Sequence, residues 1–276
     1  GKIIRDFPMV PGIDFAGTVA SSASDRFVPG DPVILTGWGV GERYWGGFAR
    51  KARVRPEWLV PMPDGLDARK AMTIGTAGLT AMLCVMTLEE AGVKPGSGKV
   101  LVTGAAGGVG SVAVLLLSRL GYEVTAQSGR PETRDFLAGL GASDFVSRDE
   151  MNEPSRPLET QRWAGAIDVT GGTILARVLA EMNYGGAVAA CGLAASFKLE
   201  TTVMPFILRN VSLRGVDSVY CPIERRTEAW RRLAQELPDS AFDEIGTVIG
   251  LGDVPQAAAN IIAGKIKGRT LVDPNL

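Results

Sequence analysis

The chain has 276 residues, 46% hydrophobic and 21% charged, enough to bury a full core and to divide into two domains. Its 29 basic and 30 acidic residues leave a formal charge of −1, so no global field draws nucleic acid or an anionic membrane, and any anion must be held by local groups. Histidine is absent, which excludes a Ser-His-Asp hydrolase and every His-ligated zinc site and removes the usual general base. Cys84, Cys191 and Cys221 lie far apart in no metal or redox spacing, so no disulfide is expected and a zinc ion would find only scattered thiols and carboxylates.

Residues 1–75 are rich in Gly, Pro and short apolar runs such as Thr18-Val19-Ala20 and Asp31-Pro32-Val33-Ile34-Leu35, a pattern of short antiparallel strands in a small β domain. The chain opens at Gly1-Lys2-Ile3-Ile4 without Met, in strand-like sequence, which predicts a missing upstream segment. Residues 76–220 then alternate helix and strand. Leu79 to Ala91 reads as helix, Lys99 to Val102 as strand, Ser111 to Leu120 as helix, Glu123 to Gln127 as strand and Arg134 to Leu140 as helix. Asp144 to Val146, Ala166 to Val169, Ala187 to Cys191 and Val211 to Val216 continue as strands, with a helix from Ile174 to Met182. Such alternation implies a parallel sheet with right-handed crossovers. In residues 221–276, a helix after Pro222 carries Trp230, Leu233 and Leu237 on one side and is followed by a strand at Thr247 to Ile249. A helix from Val254 to Ala263 and a last strand at Arg269 to Val272 close this tail, which is expected to rejoin the first domain. The longest apolar run, Val112 to Leu117, is too short to cross a bilayer, and no signal-peptide pattern opens the chain, which predicts a cytoplasmic address.

Between the strand ending at Val102 and the helix after Gly110 stands Thr103-Gly104-Ala105-Ala106-Gly107-Gly108-Val109-Gly110. Glycines at a strand-to-helix turn let backbone N–H groups approach an anion at the positive end of a helix, as in a dinucleotide pyrophosphate site. Taken alone, such a cluster is also a plain tight turn. The next strand, however, ends at Ser128-Gly129-Arg130, where a dinucleotide fold presents the residue that meets the adenosine ribose. An NAD enzyme usually has Asp or Glu there; a hydroxyl, a flexible glycine and a guanidinium instead suit a 2′-phosphate, which predicts NADPH. Arg134 adds a second cation or a solvated face.

Together, Pro11-Gly12-Ile13-Asp14-Phe15-Ala16-Gly17, Ala105 to Gly110 and Ser128-Gly129-Arg130 resemble the medium-chain dehydrogenase/reductase superfamily. More narrowly, they resemble its zinc-free quinone-oxidoreductase-like branch, which includes acryloyl-CoA reductase. Trp45-Gly46-Gly47-Phe48-Ala49, Gly75 to Met82, Met182 to Gly186, Thr202 to Arg209, Gly215 to Ser218 and Gly268 to Val272 extend the likeness along the chain. The resemblance implies an α/β protein with an N-terminally truncated GroES-like β domain and a Rossmann domain, a doubly wound parallel sheet carrying NADPH in an interdomain cleft. Zinc-dependent relatives have His and Glu where this chain has Ile13 and Asp14. Members of the zinc-free branch begin with a further stretch holding an Asn-Tyr-Lys-Asp motif that this chain lacks.

The implied reaction is NADPH-dependent reduction of an activated C=C bond, with acryloyl-CoA giving propanoyl-CoA by hydride transfer to the β-carbon and no metal. Rivals are quinone reduction on the same fold and, if the upstream segment is absent, a non-catalytic NADPH-binding protein. The cofactor set expected is Ala106, Gly107, Gly108 and Val109 at the pyrophosphate, and Ser128, Gly129 and Arg130 at the 2′-phosphate. The resemblance adds Thr80, Cys191, Gly192, Leu193, Ser218 and Arg269. Cys191 is read as a small packed residue in preference to a reactive thiol, and Asp168 as a cofactor neighbour or a cap. Tyr44 is the catalytic candidate, its phenol donating to the thioester oxygen or its ring, like Trp45, packing on the loop. Asp14 is given a structural hydrogen-bonding role, and Arg5, Arg43 and Arg50 are alternatives between coenzyme A phosphates and solvent. A homodimer through the edge strand near Val211 to Val216 is expected by analogy.

Overall fold

The computed structural model describes residues 4, 6–240, 242, 246–266 and 269–276. The chain forms two compact units, one of Gly1–Leu79 with Ser218–Leu276 and the other of Thr80–Asp217.

In the first unit β1 (Asp14–Thr18), β2 (Pro32–Thr36) and β3 (Val60–Pro61) pair antiparallel. Pro32 heads β2, where the lost N–H costs no interior ladder bond, and the run behind it is buried. Val33 and Leu35 join Phe27, Val40, Trp58 and Leu59 in a core cluster against which Phe15 and Trp38 pack. The expected strand at Thr18 to Ala20 stops at Thr18; Val19 instead exchanges backbone bonds with Gly30 and Asp31 in the connecting loop. A parallel pair, β10 (Gly246–Gly250) with β11 (Arg269–Asp273), lies in the tail.

The helix after Pro222, α7 (Ile223–Glu236), buries Arg226, Ala229, Trp230 and Leu233, the i, i+3, i+4, i+7 stripe of an amphipathic helix. Arg226 is an exception to that chemistry, a cation at 0% exposure. Its Nη1 donates to the carbonyl and hydroxyl of Thr36, both at 2.8 Å, and its Nη2 to the carbonyls of Ser218 and Val219 at 2.9 and 3.1 Å. The guanidinium also lies 5.1 Å from the Trp38 ring centroid. Aligned carbonyl dipoles and an aromatic face thus replace the water the charge gave up. The result is that the end of β2 is tied to the segment where the chain re-enters this unit.

In the second unit β4 (Val100–Val102), β5 (Val124–Ser128), β6 (Asp144–Ser147), β7 (Trp163–Asp168), β8 (Met182–Ala190) and β9 (Ser212–Gly215) form a parallel sheet in the order β6-β5-β4-β7-β8-β9. That is the doubly wound order, with its switch point between β4 and β7. Leu101, Ala166 and Val188 from the sheet pack with Leu175, Val178 and Leu179 of α5 (Gly172–Glu181) in one cluster.

α1 (Ala68–Glu90) and β8 also differ from expectation. The helix α1 starts well before Leu79, because two helical pieces join across Gly75, whose backbone alone is non-helical (φ 50°, ψ −161°). Gly75 is thus a kink within the helix. This helix has the length and hydropathy to cross a membrane, unlike the short run at Val112, but 89% of its most apolar window is buried within the protein. β8 begins at Met182 and not Ala187, since the turn-like Asn183-Tyr184-Gly185-Gly186 is absorbed at a register shift between Trp163 and Gly165 of β7.

Candidate dinucleotide site

The glycine segment leaves β4 and enters α2 (Gly108–Arg119), which begins three residues before the expected Ser111. Gly107 is its N-cap and no side chain caps it, so the amides of the first turn face outward beside an exposed Gly107, with Gly108 and Val109 half-buried. Two glycines are required by geometry. Gly104 sits at φ +57°, and a Cβ on it would lie 2.5 Å from Val169 Cγ2. A Cβ on Gly110 would overlap the Gly104 carbonyl oxygen and stand 2.6 Å from Ala105 Cα.

The loop is clamped from both neighbouring strands. Gln127, buried in β5, accepts the Gly104 N–H at 2.9 Å with its side chain and the Ala105 N–H at 2.9 Å with its carbonyl. Across the switch point, Asp168 ends β7 at 0% exposure. Its carboxylate accepts from Thr103 Oγ1 at 2.7 Å, Thr170 Oγ1 at 2.8 Å and Gly171 N at 2.8 Å, the last being the N-cap of α5. Thr103 Oγ1 in turn accepts the Val169 N–H at 3.1 Å. Asp168 is therefore bonded as the cap or turn former, the role weighed against that of a cofactor neighbour.

At the end of β5, Ser128 Oγ accepts the Arg130 N–H at 3.2 Å and lies 3.0 Å from Thr133 Oγ1, fixing the turn. Arg130 reaches back, its Nη2 donating to the Ala106 carbonyl at 3.4 Å, so the expected pyrophosphate and 2′-phosphate residues adjoin. Arg134 instead covers the Phe145 ring, 4.6 Å from its centroid. A further cation escaped the sequence reading. Parallel pairing sets Ser147 of β6 beside Ser128 of β5, which delivers Arg148 to Gly129. A Cβ on Gly129 would lie 2.5–2.9 Å from the Arg148 guanidinium atoms. Ser128, Arg130 and Arg148 thus surround a bare glycine with one hydroxyl and two exposed or half-buried guanidinium groups.

Cys191, Gly192 and Leu193 follow β8. Cys191 N donates to the Asp168 carbonyl at 2.9 Å, its half-buried thiol to the same oxygen at 3.5 Å, and a Cβ on Gly192 would overlap the Val169 carbonyl. The loops after β4, β7 and β8 therefore adjoin at one edge of the sheet, the crevice where doubly wound folds bind ligands. Cys84, buried in α1, faces Cys191; that hydrogen bond first, then burial and the Asp168 charge, hold its thiol well above the ordinary 9.0 and unreactive at neutral pH. Thr80 is buried on the same helix.

The remaining expected residues lie in the first unit. Ser218 is half-buried, its carbonyl held by Arg226. Arg269 Nε donates to the Thr73 carbonyl at 3.3 Å and its Nη2 stands 4.0 Å from Asp14 Oδ2; burial lowers its pKa. Asp14 accepts from the Thr76 amide at 2.8 Å and from the Thr76 hydroxyl, the hydrogen-bonding role expected of it, while burial pushes its carboxyl above the ordinary 3.8. Tyr44 packs its ring 4.8 Å from Trp58 and under the Arg55 guanidinium, at 5.7 Å, an environment that supports the packing reading over proton donation. Arg50 Nε donates to the Pro274 carbonyl at 3.3 Å, the Arg43 stem lies over Gly39, and Arg5 is outside the described residues.

A doubly wound sheet with this glycine turn defines a dinucleotide-binding domain, and relatives agree. Residues 1–64 match the family described as alcohol dehydrogenase GroES-like domain, and residues 108–237 match zinc-binding dehydrogenase. A probable acrylyl-CoA reductase AcuI of Escherichia coli (strain K12) is 63% identical over 100% of this chain and 85% of its own length. The acrylyl-CoA reductase AcuI of Ruegeria pomeroyi is 55% identical over 100% of this chain and 84% of its own length. The yhdH oxidoreductase from Salmonella enterica, crystallised in complex with NADP, superposes with a TM-score of 0.97 at 62% identity, covering 99% of this chain and 84% of that one. The chain belongs to the medium-chain dehydrogenase/reductase superfamily, in its quinone-oxidoreductase-like branch. The zinc of the family description does not fit these residues: the chain has no histidine, Cys84 and Cys221 are buried, and among the described residues no three metal-binding side chains gather.

Asp168→Asn turns an amide toward three donors, so it is expected to cost about 2–3 kcal/mol in urea unfolding and to speed hydrogen exchange at the Gly171 amide. A stability within about 0.5 kcal/mol of the wild type would contradict the clamp.

Proposed function

We propose that this chain is an NADPH-dependent reductase of activated C=C bonds whose substrate is acryloyl-CoA, converted to propanoyl-CoA. The observation that carries the cofactor half is the set of Ser128, Arg130 and Arg148 around Gly129, a site for a dianionic phosphate where a carboxylate would favour NADH. The amides from Ala106 to Val109 hold the pyrophosphate, with Thr80 near the phosphates and Cys191 to Leu193 beside the nicotinamide ribose. The NADP complex of the Salmonella enterica relative and the names of the two reductases support this reading.

When bound, the cofactor supplies the hydride that goes to the β-carbon, and a proton taken up at the α-carbon completes the product. The protein's part is to orient the two reactants and to exclude water. An activated acceptor needs no metal for this, which favours an enoyl thioester over a ketone. The first unit is the substrate domain and the second the NADPH domain, and a cytoplasmic address belongs to the same reading.

The test is NADPH oxidation with acryloyl-CoA beside a small quinone. A kcat/KM for the thioester about 100-fold or more above that for the quinone is expected. Quinone turnover without thioester turnover would select the quinone-reductase reading, and NADPH binding with neither would overturn catalysis.

A homodimer is the second part of the proposal. It is supported by β9 at the sheet edge and by Val203, Ile207 and Leu208, 65%, 71% and 54% exposed, in the segment leading into it. Sedimentation at micromolar concentration is expected to give a dimer that Ile207→Glu dissociates; a monomeric wild type would remove this part.

A further inference from the structure

A cavity of about 250 Å³ opens in the first unit between the loop carrying Tyr44 and Trp45 and the segment Arg53 to Trp58. Its walls are flat and aromatic: Trp58 forms a buried side, Tyr44 tilts against it at 4.8 Å, and Trp45 stands 65% exposed. Its charges have one sign. Arg53 and Arg55 line it and no carboxylate does. The Arg55 guanidinium carbon lies 5.1 Å from the Trp58 centroid and 5.7 Å from that of Tyr44, so the cation sits against both rings, and its N–H groups are donors for oxygen acceptors.

The volume falls below the roughly 300–1,000 Å³ of pockets that enclose a whole drug-sized ligand, so the cavity suits one end of a longer molecule. Flat walls with two cations select an aromatic ring that bears phosphate. A short acyl group offers neither feature, whereas the far end of a coenzyme A thioester is a phosphorylated adenosine that offers both.

We propose that the cavity bounded by Tyr44, Trp45, Arg53, Arg55 and Trp58 binds the 3′-phosphoadenosine end of the acyl-CoA substrate. This rests on the thioester reading above. The adenine lies against the exposed indole, and Arg53 and Arg55 take the phosphate oxygens. It makes these two arginines the residues that distinguish a coenzyme A thioester from a shorter one, a role the sequence reading offered to Arg5, Arg43 and Arg50.

The kinetic test uses saturating NADPH as hydride donor and two thioesters, acryloyl-CoA and acryloyl-pantetheine. The wild type is expected to prefer acryloyl-CoA by about tenfold or more in kcat/KM, and Arg53→Glu to remove most of that preference by raising KM for acryloyl-CoA alone. An equal rate with both thioesters, or an Arg53→Glu variant that keeps the preference, would overturn the proposal while leaving the reaction intact. Calorimetric titration of the NADP⁺-saturated protein, its glycine-loop site filled, with 3′-phosphoadenosine 5′-phosphate gives an independent arm. If neither thioester reacts, the reaction itself fails, and the cavity is judged on this arm: binding by the wild type that Arg53→Glu weakens supports it, and no binding by the wild type overturns it. Unchanged NADP⁺ affinity in the variant establishes that it is folded, and Arg55→Gln, which keeps the side chain's length, serves if it is not.

Discussion

The buried carboxylate of Asp168 is the constraint on which the second unit depends. A carboxylate at 0% exposure is tolerable only when its oxygens are filled, and here the donors come from three different places: the residue after β4, the turn after β7 and the N-cap amide of α5. Satisfying one group therefore fixes the exit of two central strands and the entry of a helix. The glycine loop begins at Thr103, one of those donors, so the backbone proposed to meet the pyrophosphate is held in place by the protein's own bonds. Such preorganisation lowers the ordering cost of binding.

Arg226 solves the same problem with the opposite charge in the first unit. Its donors are spent on carbonyls of Thr36, Ser218 and Val219, joining two stretches about 180 residues apart in the sequence. The buried cation also favours the ionised form of Asp14, as does Arg269, but burial outweighs both and raises the carboxyl overall. In each unit a fully buried ion is thus used to fix loops, while the aromatic and aliphatic clusters supply the bulk of the packing.

Legibility in the sequence followed locality. The glycine turn, its flanking strand and helix and the Ser128-Gly129-Arg130 end of β5 could be read because each depends on neighbours a few residues away. Arg148 could not, since only the pairing of Ser128 with Ser147 sets it beside Gly129; the available signal was a basic residue directly after the next strand. The first helix is expected from Leu79 onward, and its earlier turns escape that reading because they lie beyond Gly75, across which helix continues on both sides. Arg226 was hidden for a different reason: an arginine on an apolar stripe reads as surface until the carbonyls it meets are known. The aromatic walls of the Arg53 and Arg55 cavity come from segments some ten residues apart, and only the fold shows that they share one space.

The central claim is that the end of β5 recognises a 2′-phosphate through Arg130 and Arg148. Calorimetric titration of the wild type, Arg130→Ala and Arg148→Ala with NADPH and with NADH tests it most directly. The account predicts tighter NADPH binding by the wild type, a loss of about tenfold or more in NADPH affinity in each variant, and NADH affinity within about twofold throughout. Equal affinity of the wild type for both cofactors, or variants that keep the full preference, would contradict it.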